Sequence, residues 1–156
     1  MADSPGSGAV WSRPQEWELW KSESKCPVCR SGRPNNVLVE FDASFACAGP
    51  KAPLPGYVCM VARRHVVEPF ELPAVEREQF WAESMLVARA LNTLFAPGKL
   101  NYEIHGNTMP HLHMHIHPRF ADDPYVGGPI GWQASYDRSP EDLNAITDAI
   151  RREQTG

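Results

Sequence analysis

Short runs rich in β-branched, aromatic and other apolar residues recur along the chain, and each run predicts a β-strand. Four of them are VLVE, SFACA, YVCMVA and LNYEI, at 37–40, 44–48, 57–62 and 100–104. A fifth run, HLHMHIH at 111–117, alternates histidine with large apolar residues. Turn residues, including the proline-rich GPKAPLPG, separate the early strands. The pattern therefore predicts a largely antiparallel sheet.

Between the third and fourth predicted strands the apolar residues change to helical spacing. They predict one long helix from Ala74 to Phe95, which Pro97-Gly98 ends. The expected core face of this helix comprises Trp81, Met85, Ala88, Leu91 or Asn92, and Phe95. The segment RSPED at 138–142 predicts a C-terminal helix with Ser139 as its N-cap and Pro140 as its first residue.

Strands, then a helix, then more strands predict an α+β fold. With 156 residues and no internal repeat, the chain is expected to form a single domain over 25–156, preceded by a flexible N-terminal arm over 1–24.

Composition and charge restrict the classes of function. The formal net charge is −4 and no Lys/Arg cluster is present, which argues against a nucleic-acid polymer as partner. The first residues, MADSPGSGAV, lack the apolar core of a signal peptide, and no run of apolar residues is long enough for a membrane span. We therefore expect a cytoplasmic protein without a membrane partner. In that compartment the four cysteines are thiols or metal ligands rather than disulfides.

The histidine strand carries the clearest chemistry. Four of the six histidines occupy alternate positions, namely His111, His113, His115 and His117. Because strand side chains alternate between faces, these four share one face, and Leu112, Met114 and Ile116 are expected to pack on the long helix. The histidine face then lines a cleft. Neighbouring imidazoles oppose each other's protonation, so several should be neutral near pH 7.

Three kinds of protein use neutral imidazoles in such a row. One is a metal-dependent hydrolase, the second is a metal-binding module, and the third is an enzyme whose histidine attacks phosphorus as a nucleophile. The alternation alone leaves all three open.

The segment GNTMPHLHMHIHPR resembles the signature of the histidine-triad (HIT) superfamily. The stretches PLPGYVCMVARRH, KLNYEIHGN and DDPYVGGPIGW extend the resemblance over roughly residues 25–132. It implies a HIT-like fold with a five-stranded antiparallel sheet. It also implies a nucleotide hydrolase or nucleotidyl transferase that acts at the α-phosphorus without an organic cofactor. A non-catalytic nucleotide-binding member of the family and a metal-dependent hydrolase remain the alternatives.

The resemblance also implies an assembly. Family members are usually homodimers, and the helix over 74–95 and the strand over 100–104 are the expected interface.

By position, the resemblance makes His111, His113 and His115 the triad. His113 is then the nucleophile that forms a covalent nucleotidyl-histidine, with its other ring nitrogen donating to a backbone carbonyl. His115 is expected to bind a phosphate oxygen. Substrate contacts are expected from Asn101, Asn107 and Thr108.

Two positions depart from the family pattern. His117 stands where many members have an apolar residue, and we expect it to be a solvated strand end. The acid that binds the ribose hydroxyls falls near Gly49, so it is missing unless Asp42 supplies it.

The segment CPVC, with Cys26 and Cys29, is a candidate metal site. Structural zinc takes four ligands, commonly two Cys and two His. The resemblance supplies His65 and His111 as the remaining pair, which predicts a structural zinc. Cys47 and Cys59, inside apolar strands, are expected to be core residues.

Overall fold

The computed structural model describes residues 10–131 and 136–156, and its elements follow the predicted order. The helices are α1 (Pro14–Trp20), α2 (Pro27–Ser31), α3 (Ala74–Phe95) and α4 (Pro140–Thr155). The strands are β1 (Val37–Glu40), β2 (Ser44–Cys47), β3 (Lys51–Ala52), β4 (Val58–Ala62), β5 (Lys99–Glu103), β6 (His113–Arg119) and β7 (Tyr136–Asp137). Short 3-10 turns lie at Val10–Ser12 and Pro69–Glu71.

Five strands form one antiparallel sheet in the order β1-β2-β4-β6-β5, which confirms the predicted α+β fold. The histidine strand β6 lies between β4 and β5 and begins at His113, two residues later than predicted. In this register His115 lies opposite Cys59 on β4 and opposite Glu103 on β5. The β3–β7 ribbon was not predicted, because two residues per strand leave no periodic pattern.

One face of the sheet is covered by α3 and α4, and the main core lies there. Met114 and Ile116 of β6 have no exposed surface and pack in this core with Leu112, as the alternation predicted. The helices contribute Phe80, Val87, Leu91, Ile146 and Ile150. The opposite face of β6 therefore carries the histidines.

The bounds of α3 agree with the prediction, and Ala88 and Leu91 of the predicted core face are buried, but Trp81 does not belong to that face. Trp81 is 52% exposed, whereas the preceding residue, Phe80, is 2% exposed. The buried residues of the helix are Phe80, Glu83, Ser84, Val87, Ala88, Ala90 and Leu91. A shift of one residue rotates a helical face by about 100°. Packing against both the sheet and α4 widens the buried face, so the apolar pattern alone did not locate its centre.

The two ends of the chain are helical where the structure describes them. In the expected arm, Val10 is buried and α1 follows it; residues 1–9 lie outside the described part. At the other end, α4 begins as predicted, with Ser139 Oγ accepting from the Asp142 N–H at 3.1 Å and the Asp142 carboxylate accepting from the Ser139 N–H at 2.8 Å. Over the described residues, no helix has the length and apolar character needed to cross a membrane.

Candidate active site and metal centre

The face of the sheet away from α3 holds His113, His115 and His117. Beside them a small apolar cluster covers the neighbouring strands; its buried members are Cys26, Val28, Phe45, Cys47 and Val61. Cys47 is therefore a core residue as expected, and Cys59 packs against this cluster from its edge. The histidines thus lie at the border between an apolar surface and an open cleft.

A cleft of about 500 Å³ is lined by His113, His115 and the segment 105–108 that follows β5. The positive φ of Gly106, +64°, turns this segment back over the histidines. Two of the expected substrate contacts, Asn107 and Thr108, therefore lie with the histidines.

Two neighbouring cavities differ in their relation to the histidines. A cavity of about 140 Å³ continues the cleft past His113 and is walled by Trp11 and Trp17 of the N-terminal segment. The third expected substrate contact, Asn101, lines a separate cavity of about 540 Å³ beside Lys99 and Arg119. The structure therefore does not bring Asn101 together with His113.

His113 is oriented by its own backbone. Its Nδ1 lies 2.7 Å from the carbonyl oxygen of His111, and a carbonyl only accepts, so Nδ1–H is the donor. The proton on Nδ1 leaves a lone pair on Nε2. The tautomer expected from the sequence agrees with this contact.

His115 is oriented by Tyr57, which sequence reasoning had treated only as a strand residue. The Tyr57 hydroxyl lies 2.9 Å from Nδ1 of His115. Arg138, itself buried, donates from Nη1 to the Tyr57 carbonyl at 2.6 Å. Burial raises the pKa of Tyr57, so the phenol keeps its proton.

The four strand histidines are neutral at pH 7, and the main cause is burial. Desolvation lowers the pKa values of His111 and His113. It lowers the pKa of His115 to about 3, with repulsion from His113 adding to the shift. The pKa of His117 falls to about 4 for the same principal reason. Mutual repulsion, the cause expected from the sequence, is secondary.

The expectation that His117 is a solvated strand end was wrong. Its side chain has no exposed surface, and its ring stacks on Tyr57 with a centroid separation of 4.8 Å. Tyr57 and β5 cover His117 and so bury it. The order of residues along β6 did not indicate this burial.

The four predicted metal ligands come together in space. One donor atom from each of Cys26, Cys29, His65 and His111 lies within 4.8 Å of all the others. The Nδ1 atoms of the two histidines are 3.2 Å apart. The sulfur of Cys26 lies 3.3 Å from Nδ1 of His111, and that of Cys29 lies 3.3 Å from Nδ1 of His65 and 3.7 Å from Nδ1 of His111. Bond lengths of about 2.3 Å to sulfur and 2.0–2.1 Å to nitrogen give donor separations of about 3.3–3.8 Å in a tetrahedral site. The cluster therefore fits a metal ion of zinc size.

Each histidine of the cluster is held by a backbone carbonyl. Nε2 of His65 donates to the Lys21 carbonyl at 2.6 Å, and Nε2 of His111 donates to the Ala62 carbonyl at 2.7 Å. Such contacts fix the tautomer that presents Nδ1 to a metal. Because both nitrogens of His111 are engaged, the structure groups this first triad residue with the cysteines.

Neither candidate for the ribose-binding acid faces the cleft. Asp42 lines a cavity with Gln79 and Arg89 of α3, on the helix side of the sheet. At Gly49, an added Cβ would lie 2.9 Å from Nδ2 of Asn36, so an amide fills the space beside this glycine.

Sequence reasoning also missed a hydrogen-bonded pair at the cleft. His105 Nε2 lies 2.8 Å from a carboxylate oxygen of Glu103, and the ring of His105 lies 5.9 Å from that of His115, centroid to centroid. The alternation in NYEIH already puts Glu103 and His105 on one face, which was the available signal.

The family model described as HIT domain matches residues 30–122. This match covers more than half of the chain, and the chain belongs to the HIT family.

Three relatives indicate the breadth of this family. The bifunctional bis(5'-adenosyl)-triphosphatase/adenylylsulfatase FHIT of Arabidopsis thaliana is 30% identical over 95 residues, 58% of this chain and 53% of the relative. This chain thus spans about half the length of that protein. Protein hit of Bacillus subtilis is 25% identical over 132 residues, 81% of this chain and 90% of the relative. The crystal structure of a histidine triad protein from Bradyrhizobium japonicum has 28% identity and a TM-score of 0.67, covering 75% of this chain and 88% of that one.

Proposed function

We propose that the protein is a nucleotide hydrolase or nucleotidyl transferase that attacks the α-phosphorus of a nucleotide conjugate through a covalent nucleotidyl-histidine. The observation that carries the proposal is the hydrogen bond that His113 Nδ1 donates to the His111 carbonyl, at 2.7 Å. A neutral, oriented imidazole with a bare Nε2 is the form that acts as a nucleophile.

Each remaining residue has one task in this proposal. His113 Nε2 forms the bond to phosphorus while the bond to the leaving group breaks. His115 donates from Nε2 to a non-bridging phosphate oxygen and stabilises the charge that develops there. Asn107 and Thr108, beside the two histidines in the cleft, hold the phosphate and the leaving group. Water or another acceptor then attacks phosphorus and returns the electron pair to His113.

The family relatives support adenylyl conjugates as the first substrates to test. The Arabidopsis relative acts, by its name, on a bis(5'-adenosyl) triphosphate and on adenylyl sulfate. Both compounds carry an adenylyl group whose α-phosphorus is bonded to an anionic leaving group. We propose the α-phosphorus of an adenylyl group as the reacting centre here.

The four-donor cluster is proposed to hold a structural zinc ion. Two thiolates and two imidazoles complete a tetrahedral shell, so no position is left for substrate or water. Cys26 and Cys29 flank the start of α2, and His111 precedes β6, so the metal joins the N-terminal segment to the edge of the active site. In the described part of the chain no second cluster of potential ligands occurs, which disfavours a metal-dependent hydrolase centred on His113 and His115.

A quenched trapping experiment tests the function. The protein is mixed with excess bis(5'-adenosyl) triphosphate, adenylyl sulfate or an adenosine phosphoramidate and quenched in base. The masses of its peptides are then measured by mass spectrometry. We expect an adenylyl mass on the peptide that contains His113. The variant His113→Ala should bind nucleotide and unfold like the wild type but carry no adduct. An adduct on another residue, or full turnover by His113→Ala, contradicts the mechanism, and nucleotide binding without turnover would favour a non-catalytic family member.

A further inference from the structure

We propose that His105, held by Glu103, is the general acid–base residue of this active site, which directs it towards nucleotide conjugates whose leaving group must be protonated. This inference rests on the proposed function. It assigns a catalytic role to a histidine outside the triad, and a class of substrate, namely nucleotide esters or amidates of weakly acidic alcohols and amines.

Position is the first argument. His105 lines the cleft together with His113 and His115, and it also lines the smaller cavity behind His113. Its ring lies 5.9 Å from that of His115, centroid to centroid. A leaving group on phosphorus lies on the side away from the attacking nitrogen, and a histidine on the segment that closes the cleft is placed to reach it.

The Glu103–His105 pair is the second argument. The two side chains are joined at 2.8 Å, and the Glu103 side chain is only 11% exposed. A carboxylate so nearly buried needs a charged or hydrogen-bonding partner. Register puts Glu103 opposite His115, on the histidine face of the sheet, with His117 and Arg119 as its other charged or titratable neighbours. The carboxylate orients the imidazole, as the acid does in other acid–base pairs.

Elimination is the third argument. All six histidines lie within the described residues, and the others have different tasks or environments. His65 and His111 belong to the metal cluster, and His113 is the nucleophile. His117 is fully buried, and His115, which lines the cleft, is assigned to the phosphate oxygen. The side chain of His105 is 36% exposed, so its proton can exchange with water between turnovers.

The proton balance of both half-reactions closes with this residue. As His113 Nε2 bonds to phosphorus, the bond to the leaving oxygen or nitrogen breaks, and its electron pair takes the proton of the His105 imidazolium. In the second half-reaction neutral His105 accepts a proton from water while the water oxygen attacks phosphorus. The phosphorus–nitrogen bond then breaks, and its electron pair returns to His113. No oxidant or further reactant is required.

The test is the dependence of the first half-reaction on the leaving group. Adenosine 5'-phosphate esters of p-nitrophenol, phenol and a simple alkyl alcohol are compared under single-turnover conditions, with formation of the His113 adduct as the signal. His105→Ala should slow the alkyl ester by about 100-fold or more. It should slow the p-nitrophenyl ester by less than about 3-fold, because p-nitrophenolate leaves without a proton. Glu103→Gln, which keeps the shape and removes the charge, should show the same trend with about a 10-fold loss for the alkyl ester.

Two further variants keep the result interpretable. His105→Gln preserves a polar contact with Glu103 but cannot supply a proton, so it should behave like His105→Ala even if the alanine variant is unstable. Tyr102→Phe, on the same strand but on its other face, is the matched control and should react like the wild type. If His105→Ala slows formation of the His113 adduct equally for all esters, or for none, the role of His105 is overturned and the proposed function still stands. Absence of any adduct in the wild type overturns both.

Discussion

The hydroxyl group of Tyr57 lies 2.9 Å from Nδ1 of His115, on the far side of the ring from the cleft nitrogen. Because the phenol keeps its proton and the imidazole is neutral, we expect the hydroxyl to donate to Nδ1 and so leave the proton of His115 on Nε2. This is the tautomer that can bind a phosphate oxygen. Tyr57, which precedes β4 and lies outside the histidine motif, is thus expected to set the tautomer of His115.

Removal of this hydroxyl is the first test. Tyr57→Phe should lower kcat about 10-fold, the value of one orienting hydrogen bond, while KM changes little. Thermal stability should be nearly unchanged, since the phenyl ring still stacks on His117 and the Tyr57 carbonyl still accepts from Arg138. Steady-state kinetics and a melting curve check the two parts. An unchanged kcat contradicts the orienting role.

The buried position of His117 leads to a prediction about stability. His117→Ala removes a ring that packs on Tyr57 and should destabilise the protein by about 2–4 kcal/mol, as other large-to-small substitutions in a core do. Denaturant unfolding at pH 7 measures this. A loss below about 0.5 kcal/mol would place His117 at the surface after all.

The same residue predicts a dependence on pH. The folded-state pKa of His117, about 4, lies below its ordinary value of 6.5, so the unfolded chain binds the proton more readily between these values. Stability from this residue is therefore complete above pH 6.5 and is lost as the pH falls towards 4, by at most about 1.4 kcal/mol per pH unit. His117→Phe should show a shallower loss than the wild type over this range. Parallel curves would contradict the burial of a neutral imidazole.

Replacement of one ligand of the four-donor cluster tests the proposed zinc site. Cys26→Ser should lower the zinc content from one ion per chain to near zero and reduce the melting temperature, because the four proposed ligands come from distant segments. Cys47→Ser is the matched control, since Cys47 is buried outside the cluster and its loss should leave the zinc content unchanged. Metal analysis by mass spectrometry checks both. Equal zinc content in the two variants would exclude the four-ligand site.

The exposed surface beside β5 predicts that the protein forms a dimer. This strand is one of the two edges of the five-stranded sheet, and Tyr102 on it and Trp81 on α3 are 45% and 52% exposed. An open edge with apolar neighbours favours pairing with a second copy about a two-fold axis. We expect a dimer at micromolar concentration and a monomer for Trp81→Glu, measured by light scattering. Leu19→Glu, exposed on α1, is the control and should remain dimeric; a monomeric wild type contradicts the prediction.

The sequence by itself determined the elements and the motif, because both depend on local periodicity. Alternation along β6 separated Leu112, Met114 and Ile116 from the histidines, and the spacing of apolar residues gave the limits of α3. The resemblance carried by HLHMHIH gave the family. The pair Cys26 and Cys29 could be singled out because a C-x-x-C spacing is itself local.

What only the tertiary structure decided is the surroundings of each side chain, which come from segments far apart along the chain. Burial of His117 depends on Tyr57 about sixty residues earlier, and the metal cluster needs residues 26, 29, 65 and 111 in one place. Periodicity states which side chains share a face, but a face becomes a core, a metal site or a cleft only when another element covers it. For the same reason Trp81 was assigned to the core, because helical spacing alone does not show which element packs on which face. Alternation did put Glu103 and His105 on one face, but that His105 lines a cleft was decided by the tertiary structure.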